Sequence, residues 1–133
     1  MKPIISTVAG CLAASFAFAA ISADAATIRV QCEQRGTQRS QISVDGKNLA
    51  MLPVGQMYMA QAVSGGNMAT SPGEQLIGGE AEFDFDSDRG NIAAGAVPIP
   101  PDFIVGGSVT GKVLAPDGTT VISDTVACSV RNR

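Results

Sequence analysis

The stretch Glu80-Ala81-Glu82-Phe83-Asp84-Phe85-Asp86-Ser87-Asp88 alternates carboxylates with Ala, Phe and Ser side chains. Because successive side chains of a β-strand point to opposite faces, this pattern predicts a strand with one acidic face and one aromatic face. We expect Phe83 and Phe85 to face the core and the carboxylates to face water or an ion. The stretch therefore predicts a strand that anchors a hydrophobic core through its phenylalanines.

Other segments predict further strands of the same kind. Residues 27–33 alternate apolar and polar side chains, and residues 109–114 run through Pro116-Asp117-Gly118 into a returning strand, which is typical of a hairpin. On the returning strand Asp124 falls on the apolar face, which indicates a bulge or an edge position nearby. Strands are also expected at 40–44, closed by a turn at Asp45-Gly46, and at 56–63.

The remaining segments are punctuated by turn-forming residues. Residues 65–79 predict a long loop or a short unrecognised element, 88–95 predict one helical turn capped by Asp88 or Asn91, and 98–101 predict an extended edge segment. Together the segments predict an all-β fold, namely a small antiparallel β-sandwich of the immunoglobulin-like kind with about six or seven strands.

Two phrases carry a resemblance to known modules. The phrases are Leu52-Pro53-Val54-Gly55-Gln56-Met57-Tyr58 and Gly107-Ser108-Val109-Thr110-Gly111-Lys112-Val113. They are similar to the strand–turn units of bacterial immunoglobulin-like and carboxypeptidase-regulatory-like modules. The resemblance covers two hairpins and transfers no functional residue to this chain.

The N-terminus has the pattern of a secretory signal. Lys2 precedes an apolar run that ends in the small-residue site Ala23-Asp24-Ala25. This pattern predicts a signal peptide at 1–25 that is cleaved on export, and a single domain at 26–133. An alternative is lipidation of Cys11, because Val8-Ala9-Gly10-Cys11 resembles a lipobox. Either reading predicts a protein that is exported to the periplasm or to the extracellular space.

The cysteines predict one disulfide bond. Removal of Cys11 with the signal leaves Cys32 and Cys128, one near each end of the domain. Two cysteines in an exported chain are expected to pair, because the compartment is oxidising. We therefore predict a disulfide between the first and the last strand of the domain.

Composition excludes several function classes. The sequence contains no histidine, so Ser-His-Asp and Cys-His catalytic sites and histidine-based zinc sites are excluded. Its formal net charge of −3 argues against a nucleic-acid binder. No apolar run after the signal is long enough to span a bilayer. The sequence therefore predicts a protein that is not an enzyme, does not bind nucleic acid and does not cross a membrane after signal cleavage.

The acidic stretch leaves three interpretations open. Asp84, Asp86, Asp88 and Asn91 have the alternating oxygen donors that Ca²⁺ sites favour, although three consecutive carboxylates on one flat strand cannot converge on one ion. A second interpretation is a binding surface formed by Glu80, Glu82 and Asp84. The third is a solvated face that protects the sheet from aggregation.

The sequence thus predicts an exported, non-enzymatic structural or binding module of unknown ligand. Its partner is an unidentified protein or surface, it requires no cofactor unless Ca²⁺ is bound, and its oligomeric state is open. One alternative function is a Ca²⁺-binding extracytoplasmic protein that uses 84–91. The other is a self-assembling surface or pilus-like subunit.

Overall fold

The computed structural model describes residues 26–49, 52–53 and 55–131, and the predicted signal peptide lies outside these ranges. The described residues form nine strands and one short helix. The strands are β1 Thr27–Arg35, β2 Arg39–Lys47, β3 Met59–Ser64, β4 Asn67–Thr70, β5 Ala81–Asp86, β6 Val97–Pro98, β7 Ser108–Leu114, β8 Thr120–Ala127 and β9 Ser129–Val130. The helix, α1, spans Arg89–Ala93 between β5 and β6.

The strands form two sheets, which we call sheet 1 and sheet 2. Sheet 1 has the order β6-β5-β2-β1-β9 and sheet 2 has the order β4-β3-β7-β8. The inward side chains of both sheets form one hydrophobic core. This sandwich-like arrangement confirms the predicted all-β class with two sheets. In the part of the chain that the structure describes, no helix is long and apolar enough to cross a membrane.

The aromatic side of β5 lies in the core, as its alternation predicts. Phe83 and Phe85 are 1% and 0% exposed. They stand across from Val44 and Ile42 of β2, so that apolar side chains meet on the inner face of sheet 1. A fully buried phenylalanine contributes about 2–3 kcal/mol relative to an exposed one. This burial fixes which face of β5 points outward.

The predicted turn at Asp45-Gly46 is wrong, because β2 continues to Lys47. Gly46 pairs with Ile28 on one side and Ala81 on the other. A Cβ atom at Gly46 would lie 2.9 Å from Leu49 Cδ1. The glycine therefore allows close packing within a strand rather than a turn.

Residues 65–79, for which the sequence predicted a long loop or a short unrecognised element, contain the short strand β4. The turn at Gly65 and Gly66 joins β3 to β4, and Val63 pairs with Met68. The helical turn is confirmed, because Asp88 caps α1. The extended edge segment predicted at 98–101 is confirmed only at its start, where Val97–Pro98 forms the edge strand β6, and a turn begins at Pro100. The strand count exceeds the predicted number because β4, β6 and β9 are four residues long or shorter.

The C-terminal hairpin is formed by β7 and β8, and β8 continues into sheet 1 as β9. Cys128 lies between β8 and β9 and is bonded to Cys32 of β1 across a sequence separation of 96. The predicted disulfide is therefore present. The irregularity expected near Asp124 is also confirmed, because β8 is an edge strand and its pairing with β7 shifts register between Val113 and Leu114.

We predict that replacing both bonded cysteines, Cys32→Ala and Cys128→Ala, lowers the free energy of unfolding by about 2–5 kcal/mol, because the disulfide restricts the unfolded chain. The midpoint of thermal unfolding should fall by roughly 10 °C or more. Circular dichroism melts with and without reductant provide the measurement. The double variant is the control, since reductant must leave its melting temperature unchanged. A wild-type protein that reductant does not destabilise would contradict the prediction.

Candidate functional site

Carboxylates from three segments meet on the outer side of sheet 1. The pairing of β2 with β5 places Asp45 directly across from Glu82, and Asp84 is two residues further along the same face of β5. Glu74 joins them from the segment between β4 and β5. We call Asp45, Glu74, Glu82 and Asp84 the acidic face.

The backbone of the buried Tyr58 holds Glu74 in place. The Tyr58 N–H donates to the Glu74 carbonyl at 2.7 Å, and the Glu74 N–H donates to the Tyr58 carbonyl at 2.8 Å. Tyr58 is itself fixed in the core, and its hydroxyl donates to the Pro53 carbonyl at 2.9 Å. The position of Glu74 is therefore set by a buried side chain rather than by a free loop.

A shallow concavity of about 330 Å³ opens on this side of the sheet. Its charged lining consists of Glu74, Glu82, Asp84 and Asp86, and the helix α1 and the residues after it close one end. Gln41 and Asn91 add amide groups to the lining. The concavity thus combines several acceptor oxygens with amide groups on a rigid sheet.

The acidic face carries unfavourable electrostatics. Partial burial raises the pKa of Asp45, and the charges of Glu82 and Asp84 raise it further. Partial burial also raises the pKa of Glu74, with Asp84 and Glu82 contributing in the same direction. Both shifts mean that the fold holds these carboxylates closer together, and in less water, than their charges favour.

Asp86 differs from its neighbours on β5, because it is buried and fully hydrogen-bonded. Its carboxylate accepts from Arg39 Nε at 3.2 Å, from an Arg39 terminal nitrogen at 2.9 Å, from the Asp88 N–H at 2.9 Å and from Asn91 Nδ2 at 2.7 Å. The side chain is 2% exposed. The sequence-based expectation that Asp86 faces water is therefore wrong, because Arg39, the Asp88 amide and Asn91 cover its carboxylate.

The hydrogen bonds affect the pKa of Asp86 more strongly than its burial does. Burial alone would raise the pKa of this carboxyl, but the bonds from Arg39, the Asp88 amide and Asn91 together lower its pKa. The hydrogen bond to Asp86 correspondingly raises the pKa of Arg39. Asp86 is therefore ionised in the folded protein and ties the end of β5 to the start of β2 and to α1.

The predicted Ca²⁺ ligands are divided between different roles. Asp86 and Asn91 bond to each other, and Asp88 accepts the Asn91 N–H at 3.2 Å as the cap of α1. Asp84 is exposed on the outer face. Within 26–49, 52–53 and 55–131, no group of three His, Cys, Asp or Glu side chains is arranged to hold a metal ion. The Ca²⁺ interpretation stays a prediction, and it has to compete with Arg39 for the oxygens of Asp86.

The predicted binding surface is partly brought together. Glu82 and Asp84 both line the concavity, whereas Glu80 is exposed in an isolated bridge with Ile77 before the strand begins. The site residues predicted from the sequence do not include Asp45, Glu74 or Arg39. Only the register of β2 against β5, which the sequence pattern does not give, brings Asp45 and Arg39 to this surface.

Comparison with known proteins adds no relative: no family model, curated protein or solved structure matches this chain. The functional argument therefore rests on the residues themselves.

We predict that Asp86→Asn lowers the free energy of unfolding by about 3 kcal/mol at neutral pH, because it leaves Arg39 half-buried without its counter-charge. The side-chain NH₂ group of an asparagine at position 86 would also face the N–H donors that the Asp86 carboxylate accepts from. The control is Asp84→Asn, which removes a charge from an exposed position of the same strand and should change stability by less than about 0.5 kcal/mol. Urea unfolding measures both. Equal effects of the two substitutions would contradict the assigned role of Asp86.

The lowered pKa of Asp86 also determines how its contribution to stability changes with pH. Its contribution to stability is complete above the unfolded-state value of about 3.9 and is lost as the pH falls through the lower folded-state value. The difference between wild type and Asp86→Asn should therefore shrink only in strong acid.

We predict that the contribution of the acidic face to stability depends on pH in the opposite direction. Because the pKa values of Asp45 and Glu74 are raised, the two charges reduce stability at neutral pH, and this cost disappears as the pH falls through the folded-state values to below about 4. The variant Asp45→Asn/Glu74→Gln should be more stable than wild type at pH 7 by less than about 1 kcal/mol, since water screens these partly exposed groups. Urea unfolding at a series of pH values measures it. A double variant that is less stable at neutral pH would contradict the prediction.

Proposed function

We propose that this protein is an exported, non-enzymatic binding module whose acidic face takes up a cationic partner in the periplasm or outside the cell. The observation that carries the proposal is the convergence of Asp45, Glu74, Glu82 and Asp84 from three separate segments on the outer side of sheet 1, where the last three of them line one concavity. The partner class is a protein or surface that presents lysine or arginine side chains.

The electrostatics of the acidic face support a cationic partner. The raised pKa values of Asp45 and Glu74 reflect partial burial and repulsion between neighbouring carboxylates. A positively charged group placed between them would relieve this repulsion, so that binding gains free energy that the free protein lacks. Asp86 next to them is already neutralised by Arg39 and does not contribute to this gain.

The rigidity of the surface also supports a binding role. Glu82 and Asp84 alternate with Phe83 and Phe85, whose burial holds β5 in place. The hydrogen bonds around Asp86 hold the end of the same strand. The backbone that carries these charged groups therefore loses little conformational entropy when they bind a partner.

Export is supported by the signal-like sequence at 1–25 and by the bond between Cys32 and Cys128, which is compatible with an oxidising compartment. We assign the two-sheet domain to the immunoglobulin-like sandwiches. The support for this class is the antiparallel pairing of β1, β2 and β5 in sheet 1 and of all four strands in sheet 2, together with the cross-link that joins β1 to the chain between β8 and β9. The two-residue strands β6 and β9 pair in parallel at the edges of sheet 1.

The absence of histidine from the sequence supports a non-enzymatic role. Carboxylates on an open surface attract cations without the second, differently tuned acid–base group that hydrolytic sites need.

The proposal is tested by titrating the protein with tetralysine and following backbone amide shifts by NMR. Amides at the acidic face should shift, and the binding should weaken as salt is added, because exposed charges are screened beyond about 8–10 Å at physiological ionic strength. The variant Glu82→Gln/Asp84→Asn should bind roughly twofold to thirtyfold more weakly, since each of the two lost charge pairs contributes about 0.2–1 kcal/mol.

The matched control is Asp102→Asn/Asp117→Asn, which removes two charges from exposed turns and should leave binding unchanged. Amide shifts of similar size near every carboxylate of the protein would refute the proposal. A second titration uses CaCl₂ alone. A rise in melting temperature at millimolar Ca²⁺, with no effect of tetralysine, would favour the Ca²⁺ alternative instead.

A further inference from the structure

Among the strands that the structure describes, β8 is the longest edge strand. The other edge strands are β4 with four residues and β6 and β9 with two each, whereas β8 has eight. In the part of the chain that the structure describes, β8 pairs with β7 and with no strand on its other side. Ser123, Asp124 and Thr125 are all exposed, although successive residues point to opposite faces. The free side of β8 is therefore open to solvent on both faces.

The register of the hairpin shows which backbone groups point to this free side. The Cys128 N–H donates to the Gly107 carbonyl at 2.9 Å, and the pairing of Thr110 with Thr125 continues the same register. Hydrogen-bonded and non-hydrogen-bonded pairs alternate along an antiparallel ladder. The N–H and C=O groups of Ser123, Thr125 and Ala127 consequently point away from β7.

One of these groups already has a partner within its own strand. The Asp124 carboxylate accepts the Thr125 N–H at 3.0 Å. Asp124 lies on the inward-facing row, across from Gly111, and it is the one charged residue of β8. A charge on the inward row and an occupied N–H are both means by which proteins restrain edge strands from pairing.

We propose that a second copy of this chain adds to the free side of β8 in antiparallel orientation, about a two-fold axis at Thr125. The Asp124 carboxylate sets the protein concentration at which the two copies pair. In this register Thr125 faces Thr125 of the second copy, and Ser123 faces Ala127. All of these residues have their backbone groups on the free side, so the hydrogen bonds of the new ladder are satisfied in both directions.

The side chains of β8 favour a second copy over an unrelated strand. The row on the outer face of sheet 2 consists of Ser123, Thr125 and Ala127, which are small, uncharged and compatible with themselves across the axis. On the inward row Asp124 faces Val126 of the second copy, so the two Asp124 charges are not directly opposed.

Pairing requires an exchange of hydrogen bonds at Thr125. Its N–H must leave the Asp124 carboxylate to bond the carbonyl of the second copy, and Asp124 must turn towards water. The exchange makes the dimer weak in the wild-type protein, and removal of the Asp124 carboxylate should strengthen it. This inference does not depend on the acidic face, which lies on the other sheet.

The test measures self-association by analytical ultracentrifugation from low micromolar to millimolar concentration. Wild type should dimerise towards the upper end of this range. Asp124→Ala should dimerise roughly 25-fold more tightly, because two Thr125 N–H groups are released and each hydrogen bond is worth roughly fivefold. Thr125→Pro, which lacks the N–H, should remain monomeric, and proline is tolerated at an edge position of this kind.

Two lysine variants test the register. Thr125→Lys places like charges opposite each other at the axis and should prevent pairing, whereas Ser123→Lys faces Ala127 and should pair nearly as wild type does. An equimolar mixture of Thr125→Lys and Thr125→Glu should form heterodimers that native mass spectrometry detects. Circular dichroism melts show that each variant is folded.

Three results would overturn the proposal. One is that wild type and Asp124→Ala both remain monomeric at millimolar concentration. Another is that Ser123→Lys weakens pairing as much as Thr125→Lys. The third is that the Lys and Glu variants at Thr125, both folded, form no heterodimer.

Discussion

The burial of Phe83 and Phe85 is the constraint on which the described structure depends most directly. Both side chains occupy the core between the two sheets, and the strand period of two then directs Glu82 and Asp84 outward. The part of the acidic face that β5 contributes is thus a geometric consequence of core packing. Since a one-residue slip would bury the carboxylates and expose both phenylalanines, the register of β5 against β2 is strongly specified. The surface charge and the core cannot be changed independently of each other.

Asp86 shows how the fold ends this alternation. It follows Phe85 and is buried as well, and Arg39, the Asp88 amide and Asn91 supply the donors that a buried carboxylate needs. The same group stops the strand, orients α1 and joins β5 to β2. The carboxylates of Glu82 and Asp84 remain exposed, and the pKa values of Asp45 and Glu74 are raised. Aspartate side chains of the same strand therefore have different roles: Asp86 is structural, and Asp84 is suited to recognition.

The sequence predicts the features that depend on local pattern, and fails where tertiary pairing decides. The inward side of β5, the Asp88 cap, the β7–β8 hairpin and the cysteine bond all follow from alternation, capping preference or compartment. The continuation of β2 through Gly46 does not, because glycine there serves close packing against Leu49 and not a turn. The partnership of Arg39 with Asp86 joins residues 47 positions apart. No single-sequence pattern encodes that register, so the burial of Asp86 against a guanidinium could not be predicted.

The two proposed interaction surfaces are arranged so that they do not interfere. Sheet 1 places β5 on the far side of β2 from β1, whereas β8 adjoins the β1 and β9 side of the molecule through the bond between Cys32 and Cys128. Antiparallel strands are spaced about 4.8 Å apart, so the acidic faces of a β8-paired dimer would be separated by several strand widths on each copy. That distance exceeds the screening length of about 8 Å at physiological ionic strength, and repulsion between the two faces is therefore small. A dimer of this kind would present two acidic faces to one extended cationic partner, and avidity would then compensate for the modest strength of each exposed charge contact.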